Sequence, residues 1–156
     1  MAEELHIAQG GKEEKYALLH KQITEIVRSE EDIIANMANI SAMIHQTFGF
    51  WWTGFYRVQG EELVLGPFQG PLACSRIKFG RGVCGTTWEE RCTQVVPDVE
   101  QFPGHIACSS ASKSEIVVPV FNKEGEITAV LDIDSEHLST FDNTDKLWLE
   151  RIVELL

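Results

Sequence analysis

The stretch EIVVPVFNKEGEITAVLDIDS, Glu115 to Ser135, consists of two apolar, β-branched runs separated by Lys123-Glu124-Gly125. β-Branched side chains suit a pleated, half-buried surface, and a short glycine-containing connection between two such runs folds them into a hairpin. TGFYRVQ (53–59) and ELVLGPFQ (62–69) flank Gly60 and read the same way. Two hairpins make a sheet that is mostly antiparallel. Pro119 lacks a ladder N–H, so its strand is expected to be an edge or to carry a bulge there.

Moving outward, the period changes to that of a helix. Tyr16, Leu19, Ile23, Ile26 and Val27 recur at helical spacing between Lys12 and Arg28, and Ser29-Glu30-Glu31-Asp32 then breaks the pattern and supplies acidic residues for a second helix running to about Phe48. Its stripe, Ile33, Ile34, Met37, Ile40, Met43 and Ile44, reads as ordinary helix packing. After Phe141, Asp142 or Asn143 caps a final helix through Leu156 whose buried edge is Trp148, Ile152 and Leu155. Between the hairpins lie a strand at Ser75–Phe79, a loop into a short helix at GRGVCGTTWEERC, and TQVVPDV, a strand ended by Pro97. This order predicts an α+β fold, a central antiparallel sheet flanked by N- and C-terminal helices. Residues 1–11, polar and ending in Gly10-Gly11, are expected to be a flexible tail, and 12–156 one domain.

Composition narrows the partners. With 24 acidic against 13 basic residues the net charge is −11, which repels phosphate backbones and anionic lipid and argues against nucleic-acid or membrane partners. No apolar run approaches the ~18 residues of a membrane span, and the start lacks a signal-peptide layout, so a cytoplasmic protein is expected. The cysteines, at 74, 84, 92 and 108, form no C-x-x-C pair. In a reducing compartment they are inert core thiols or chemistry.

Two groups of residues stand out. In Ala129–Asp134, alternation puts Asp132 and Asp134 on one face, roughly 7 Å apart, with Leu131 and Ile133 on the other. Glu115, across the hairpin, falls near the same end. The three carboxylates are either a solvated acidic face or a binding site for a cationic group in which one acid with a raised pKa protonates a departing oxygen. The second group is the loop Pro97–Ser114, rich in Ser, Gly and Pro, which sets Cys108 near His105 and several hydroxyls; Cys108 is a small buried residue or an activated thiol. Trp51, Trp52, Phe55 and Tyr56 form core packing or an aromatic wall beside the acids. A zinc site from His105 and Cys108 with Cys74 or Cys84 lacks a second close ligand pair. Gly80-Arg81-Gly82 lacks the Walker pattern and its lysine, and the local signatures of caspase- and papain-type hydrolases are absent.

GPLACSRIKFGRGVCGTTW, PDVEQFPGHIACSSASKSEIVVPV and AVLDIDS together resemble the free methionine-(R)-sulfoxide reductases, a family with the GAF fold, from about Tyr16 to the C-terminus. The ladder Cys74, Cys84, Cys108 is the specific part of the likeness, and Cys92 departs from it. The resemblance implies that Cys108 attacks the sulfoxide sulfur and Cys74 resolves the resulting sulfenic acid as a disulfide. Cys84 is then a secondary thiol, an alternative resolver. It implies further that Glu115, Asp132 and Asp134 hold the substrate's ammonium and sulfoxide oxygen, Glu115 being the first choice of acid, and that Trp52 and Tyr56 lie near the methyl and side-chain atoms. No bound cofactor is implied. Thioredoxin or another dithiol is the implied reductant, and a homodimer the implied assembly. The competing expectation is a non-enzymatic GAF-type module that senses a small ligand or redox state.

Overall fold

The computed structural model describes residues 4–105 and 110–156. Helices α1 (Lys12–Arg28) and α2 (Ile33–Phe48) precede the hairpin β1 (Trp52–Gln59) and β2 (Glu62–Gln69). Strand β3 (Arg76–Lys78), helix α3 (Gly82–Glu90) and strand β4 (Gln94–Val96) follow. A single 3₁₀ turn at Val99–Gln101 leads to the hairpin β5 (Ser114–Phe121) and β6 (Ile127–Ser135), and α4 (Asn143–Val153) closes the chain. The six strands form one sheet in the order β3-β2-β1-β6-β5-β4, every pair antiparallel. None of the described helices is long and apolar enough to cross a membrane.

Local chemistry sets the helix ends. Asp32 caps α2 by accepting from the Ala35 N–H at 2.9 Å, and Gly49 ends it in the left-handed region (φ 67°), where its N–H reaches the His45 carbonyl. Asp142 and Asp145 form a reciprocal capping box on α4. Asp145 is wholly buried, and it also accepts from the Tyr16 hydroxyl and the Lys12 ammonium, both at 2.6 Å. A buried carboxylate needs donors of this kind, and these fasten α1 to α4. The segment before α1 is attached to that helix, since the Gln22 amide exchanges hydrogen bonds with the His6 backbone.

Both faces of the central strands are covered. Phe55, Ile116, Val118, Val120, Ala129, Leu131 and Ile133 pack with α1, α2 and α4, and fully burying each large side chain there contributes about 1.5–3 kcal/mol. The opposite face packs Trp52, Tyr56, Val117 and Val130 with Val83 and Cys84 of α3. Phe55 therefore belongs to the helix-side core and not to an aromatic wall with Trp52 and Tyr56, because alternation along β1 turns it away. Pro119 lies in an interior strand, between β6 and β4. It is tolerated there because β4 pairs only with Glu115 to Val117, leaving the remainder of β5 uncovered on that side. The last helix stops at Val153, and its fully covered apolar residues are Leu149, Ile152 and Val153, while Trp148 is half-buried against Tyr16 and Leu155 packs beyond the helix end.

Candidate active site

Sheet register builds the floor of the site. Trp52, Asp134 and Glu115 are direct neighbours across β1, β6 and β5, and the next row of that face holds Gly54, Asp132 and Val117. Gly54 is required here: a Cβ at that position would stand 2.3 Å from Phe68 Cβ and 2.7 Å from the far edge of the Trp52 ring. Its absence lets the Trp52 ring stack between Phe68 (5.2 Å) and Tyr56 (5.9 Å). Trp52 Nε1 donates to the Pro71 carbonyl and the Tyr56 hydroxyl to the Cys74 carbonyl, at 3.1 and 2.8 Å, so the two aromatics hold the 71–77 segment over the floor.

Helix α3 forms the adjoining wall. It approaches β3 so closely that a Cβ on Gly85 would lie 2.6 Å from the Lys78 carbonyl oxygen, and this seats the buried Cys84 beside Asp132. The result is a small cavity of about 60 Å³, room for a few waters or part of a small molecule. The 71–77 segment contributes Pro71, Leu72 and Ala73 to its lining, and the 97–114 loop contributes His105 and Ser112.

Burial decides between the two readings of the acids. Glu115 and Asp132 are each 6% exposed and Asp134 is only partly exposed, so this is no solvated face. Desolvation is the largest influence on all three and raises each pKa above the ordinary carboxylate range. The charges of Asp132 and Asp134 raise Glu115 further, and Glu115 hydrogen-bonds to both. Glu115 and Asp134 are both raised well above their ordinary values, so the three acids hold their protons as one interacting group and not as independent carboxylates. Ser112 Oγ donates to Asp134 Oδ1 at 3.1 Å. Asp132 Oδ1 and Trp51 Nε1 are buried without a hydrogen-bond partner, and both residues line the cavity. Orphaned polar atoms at a cavity wall are groups that a ligand would satisfy.

His105 Nε2 stands 4.0 Å from Glu115 Oε1, and burial lowers its pKa, favouring the neutral ring. Burial, followed by the charges of Asp132 and Glu115, raises the Cys84 pKa, so its thiol stays protonated. Among the described residues Cys84 and Cys92 are free thiols, and Cys92 is exposed. Cys108 lies outside the described residues. The structure thus brings together Glu115, Asp132, Asp134, Trp52, Tyr56 and Cys84, with the Cys74 backbone held at the edge. Sequence reasoning missed Ser112, signalled only by the general richness of its loop in hydroxyls, and the contact of Cys84 with the carboxylates, which no local pattern encodes.

The GAF domain family matches residues 27–156. GAF domain-containing protein A of Dictyostelium discoideum is 55% identical over 100% of this chain and 99% of its own. The free methionine-R-sulfoxide reductase of Saccharomyces cerevisiae is 44% identical over 79% of this chain and 73% of its own. The X-ray structure of the Neisseria meningitidis free methionine-R-sulfoxide reductase in complex with its substrate superposes with a TM-score of 0.95 at 51% identity, covering 97% of this chain and 92% of that one. The chain belongs to the free methionine-R-sulfoxide reductases, oxidoreductases built on the GAF fold. A core built only for stability would not enclose carboxyls in this way, so their burial marks this cavity as the candidate site.

Proposed function

We propose that the protein reduces free L-methionine-(R)-sulfoxide to methionine, with Cys108 as nucleophile, Cys74 as its resolving partner and Glu115 as the acid. The observation that carries this reading is the buried convergence of Glu115, Asp132 and Asp134 beneath the Trp52–Tyr56 wall. Asp132 and Asp134 receive the substrate's ammonium, and the aromatic faces lie along its methyl and side-chain atoms. A peptide-bound residue lacks that charge and would leave buried carboxylates unpaired, which selects the free amino acid.

The Cys108 thiolate attacks the sulfoxide sulfur while Glu115 gives its proton to the oxygen. Attack forms a bond between the Cys108 and substrate sulfurs; the protonated oxygen then passes to the Cys108 sulfur as the S–O and S–S bonds to the substrate sulfur break, leaving a sulfenic acid and releasing methionine. The Cys74 thiol then attacks that sulfur and releases water, leaving a disulfide that thioredoxin or another dithiol reduces. The 71–77 segment and the 97–114 loop both line the cavity, which supports their thiols meeting. Cys84 is the poorer resolver, because burial and the neighbouring carboxylates hold its thiol protonated. A cytoplasmic homodimer fits this role, as thioredoxin works in that compartment.

The test is methionine release from the free (R)-sulfoxide, the (S) epimer and a peptide-bound (R)-sulfoxide, with thioredoxin or dithiothreitol as reductant. Turnover confined to the free (R) form is the expected result. Folded, reduced protein inactive on all three would overturn the assignment in favour of a ligand- or redox-sensing module.

A further inference from the structure

We propose that Cys84, Glu115 and Asp132, completed by His105, form a binding site for a thiophilic divalent cation of the zinc class. One ligand atom from each of the first three residues lies within 4.8 Å of the others, and all three side chains are buried. Asp132, more than nine-tenths buried, has its Oδ1 without a partner at the wall of the cavity these groups share. His105 lines the same cavity, with Nε2 4.0 Å from Glu115 Oε1, and adds a neutral nitrogen.

This donor set is one thiol sulfur, two carboxylate oxygens and one imidazole nitrogen, all types that zinc and cadmium accept in tetrahedral sites. Zinc bonds of about 2.0–2.3 Å place tetrahedral ligands roughly 3.5 Å apart, so adjustments of about an ångström bring the Cys84, Glu115 and Asp132 donors to that spacing, while His105, outside that close group, swings in from its place beside Glu115. The larger cadmium ion needs less. On binding, the Cys84 S–H bond gives way to a sulfur–metal bond and its proton passes to solvent, as does the proton shared among the carboxyls. No oxidation is involved. The dication compensates the buried like charges that otherwise face one another, as the ammonium of a bound amino acid would, and it occupies the same cavity. This set shares His105 and Cys84 with the zinc reading of the sequence but has Glu115 and Asp132 in place of Cys108 and Cys74, and α3 packing, not ligand spacing, assembles it.

The test measures metal binding directly, so its outcome is independent of whether the protein reduces methionine sulfoxide. A variant with Cys74, Cys92 and Cys108 all replaced by serine retains Cys84 as the sole thiol. Titration of this protein with Cd²⁺ is expected to produce a thiolate-to-metal charge-transfer absorbance saturating at one ion per chain, and Co²⁺ to give the ligand-field bands of a tetrahedral site. Adding Asp132→Asn is expected to weaken Cd²⁺ binding at least tenfold with near-ultraviolet circular dichroism unchanged. Should the triple variant not fold, the difference in charge-transfer absorbance between reduced full-length protein and its Cys84→Ala variant reads the same site. Folded protein with accessible Cys84 and no charge-transfer band, or an Asp132→Asn variant of undiminished affinity, would refute the proposal.

Discussion

Glu115→Gln separates proton donation from every other property of the site. Glutamine has nearly the volume of glutamic acid, and its amide group can hydrogen-bond to the neighbouring Asp132 and Asp134 carboxyls. The fold should therefore tolerate it, with stability within about 1 kcal/mol and a midpoint shift of no more than about 4 °C in a chain of this size. Substrate binding should survive as well, because Asp132 and Asp134 remain in place for the ammonium. What glutamine lacks is an acidic proton for the departing oxygen, and loss of a positioned general acid lowers rate by roughly 10²–10⁴, about 3–5 kcal/mol of barrier. The assay is methionine release under saturating free (R)-sulfoxide, with KM measured in parallel. We expect kcat to fall at least a hundredfold with KM changed only severalfold.

The wild-type pH profile carries the same signature. Activity should decline as pH rises through the raised Glu115 pKa, and that limb should vanish in the variant. For stability the sign is equally definite. Because the folded pKa exceeds the unfolded one, the native state binds more protons between the two values, so the Glu115 contribution is full below the ordinary carboxylate range and is lost as pH rises through the folded pKa. Glu115→Gln should flatten this slope. A variant retaining more than a third of wild-type kcat, with its alkaline limb intact, would refute the assignment of Glu115 as acid.

Three further outcomes test the proposed thiol roles and the packing of the fold. Cys108→Ser should abolish turnover, whereas Cys74→Ser should release a single equivalent of methionine and then stall with thioredoxin; sustained thioredoxin-supported turnover in Cys74→Ser would assign resolution to another thiol. Tyr16→Phe removes one donor from the buried Asp145 carboxylate while Lys12 and the Asp142 N–H remain, costing about 1–3 kcal/mol by thermal or urea unfolding; an unchanged midpoint would show that those two donors suffice. Gly54→Ala forces a Cβ to 2.3 Å from Phe68 and 2.7 Å from the Trp52 ring, so it should destabilise by about 1–3 kcal/mol and raise KM through displacement of Trp52; wild-type stability with wild-type KM would contradict the close packing of β1 on β2.

The element order and most boundaries were legible because they rest on local periodicity. The α1 stripe ran from Lys12 to Arg28 in sequence and structure alike, and the two hairpins followed from β-branched runs around Gly60 and Gly125. Boundaries shifted where the helical ladder tightened, as at the end of α4, where the Leu155 and Leu156 N–H groups reach back only three residues, to the Ile152 and Val153 carbonyls. Pro119 pointed to an edge strand. Yet β5 is interior, because β4 begins only at Gln94, shortly after α3 ends, and so stops short of Pro119, which nothing within β5 decides.

For the site, the sequence by itself determined that Asp132 and Asp134 share a face, since alternation is a covalent property of an extended strand. It also carried the motifs that resemble the reductase family. It left undecided whether the acids faced water, because the cover over that face comes from α3 and the 71–77 and 97–114 segments, which are remote in sequence from β6. Only the tertiary structure placed Trp52 and Glu115 on either side of Asp134, turned Phe55 to the opposite core and set the Cys84 thiol against Asp132. Periodicity fixes which way a side chain points from its own element, whereas its neighbours depend on strand register and layer packing, which are cooperative results of burying both faces of the sheet at once.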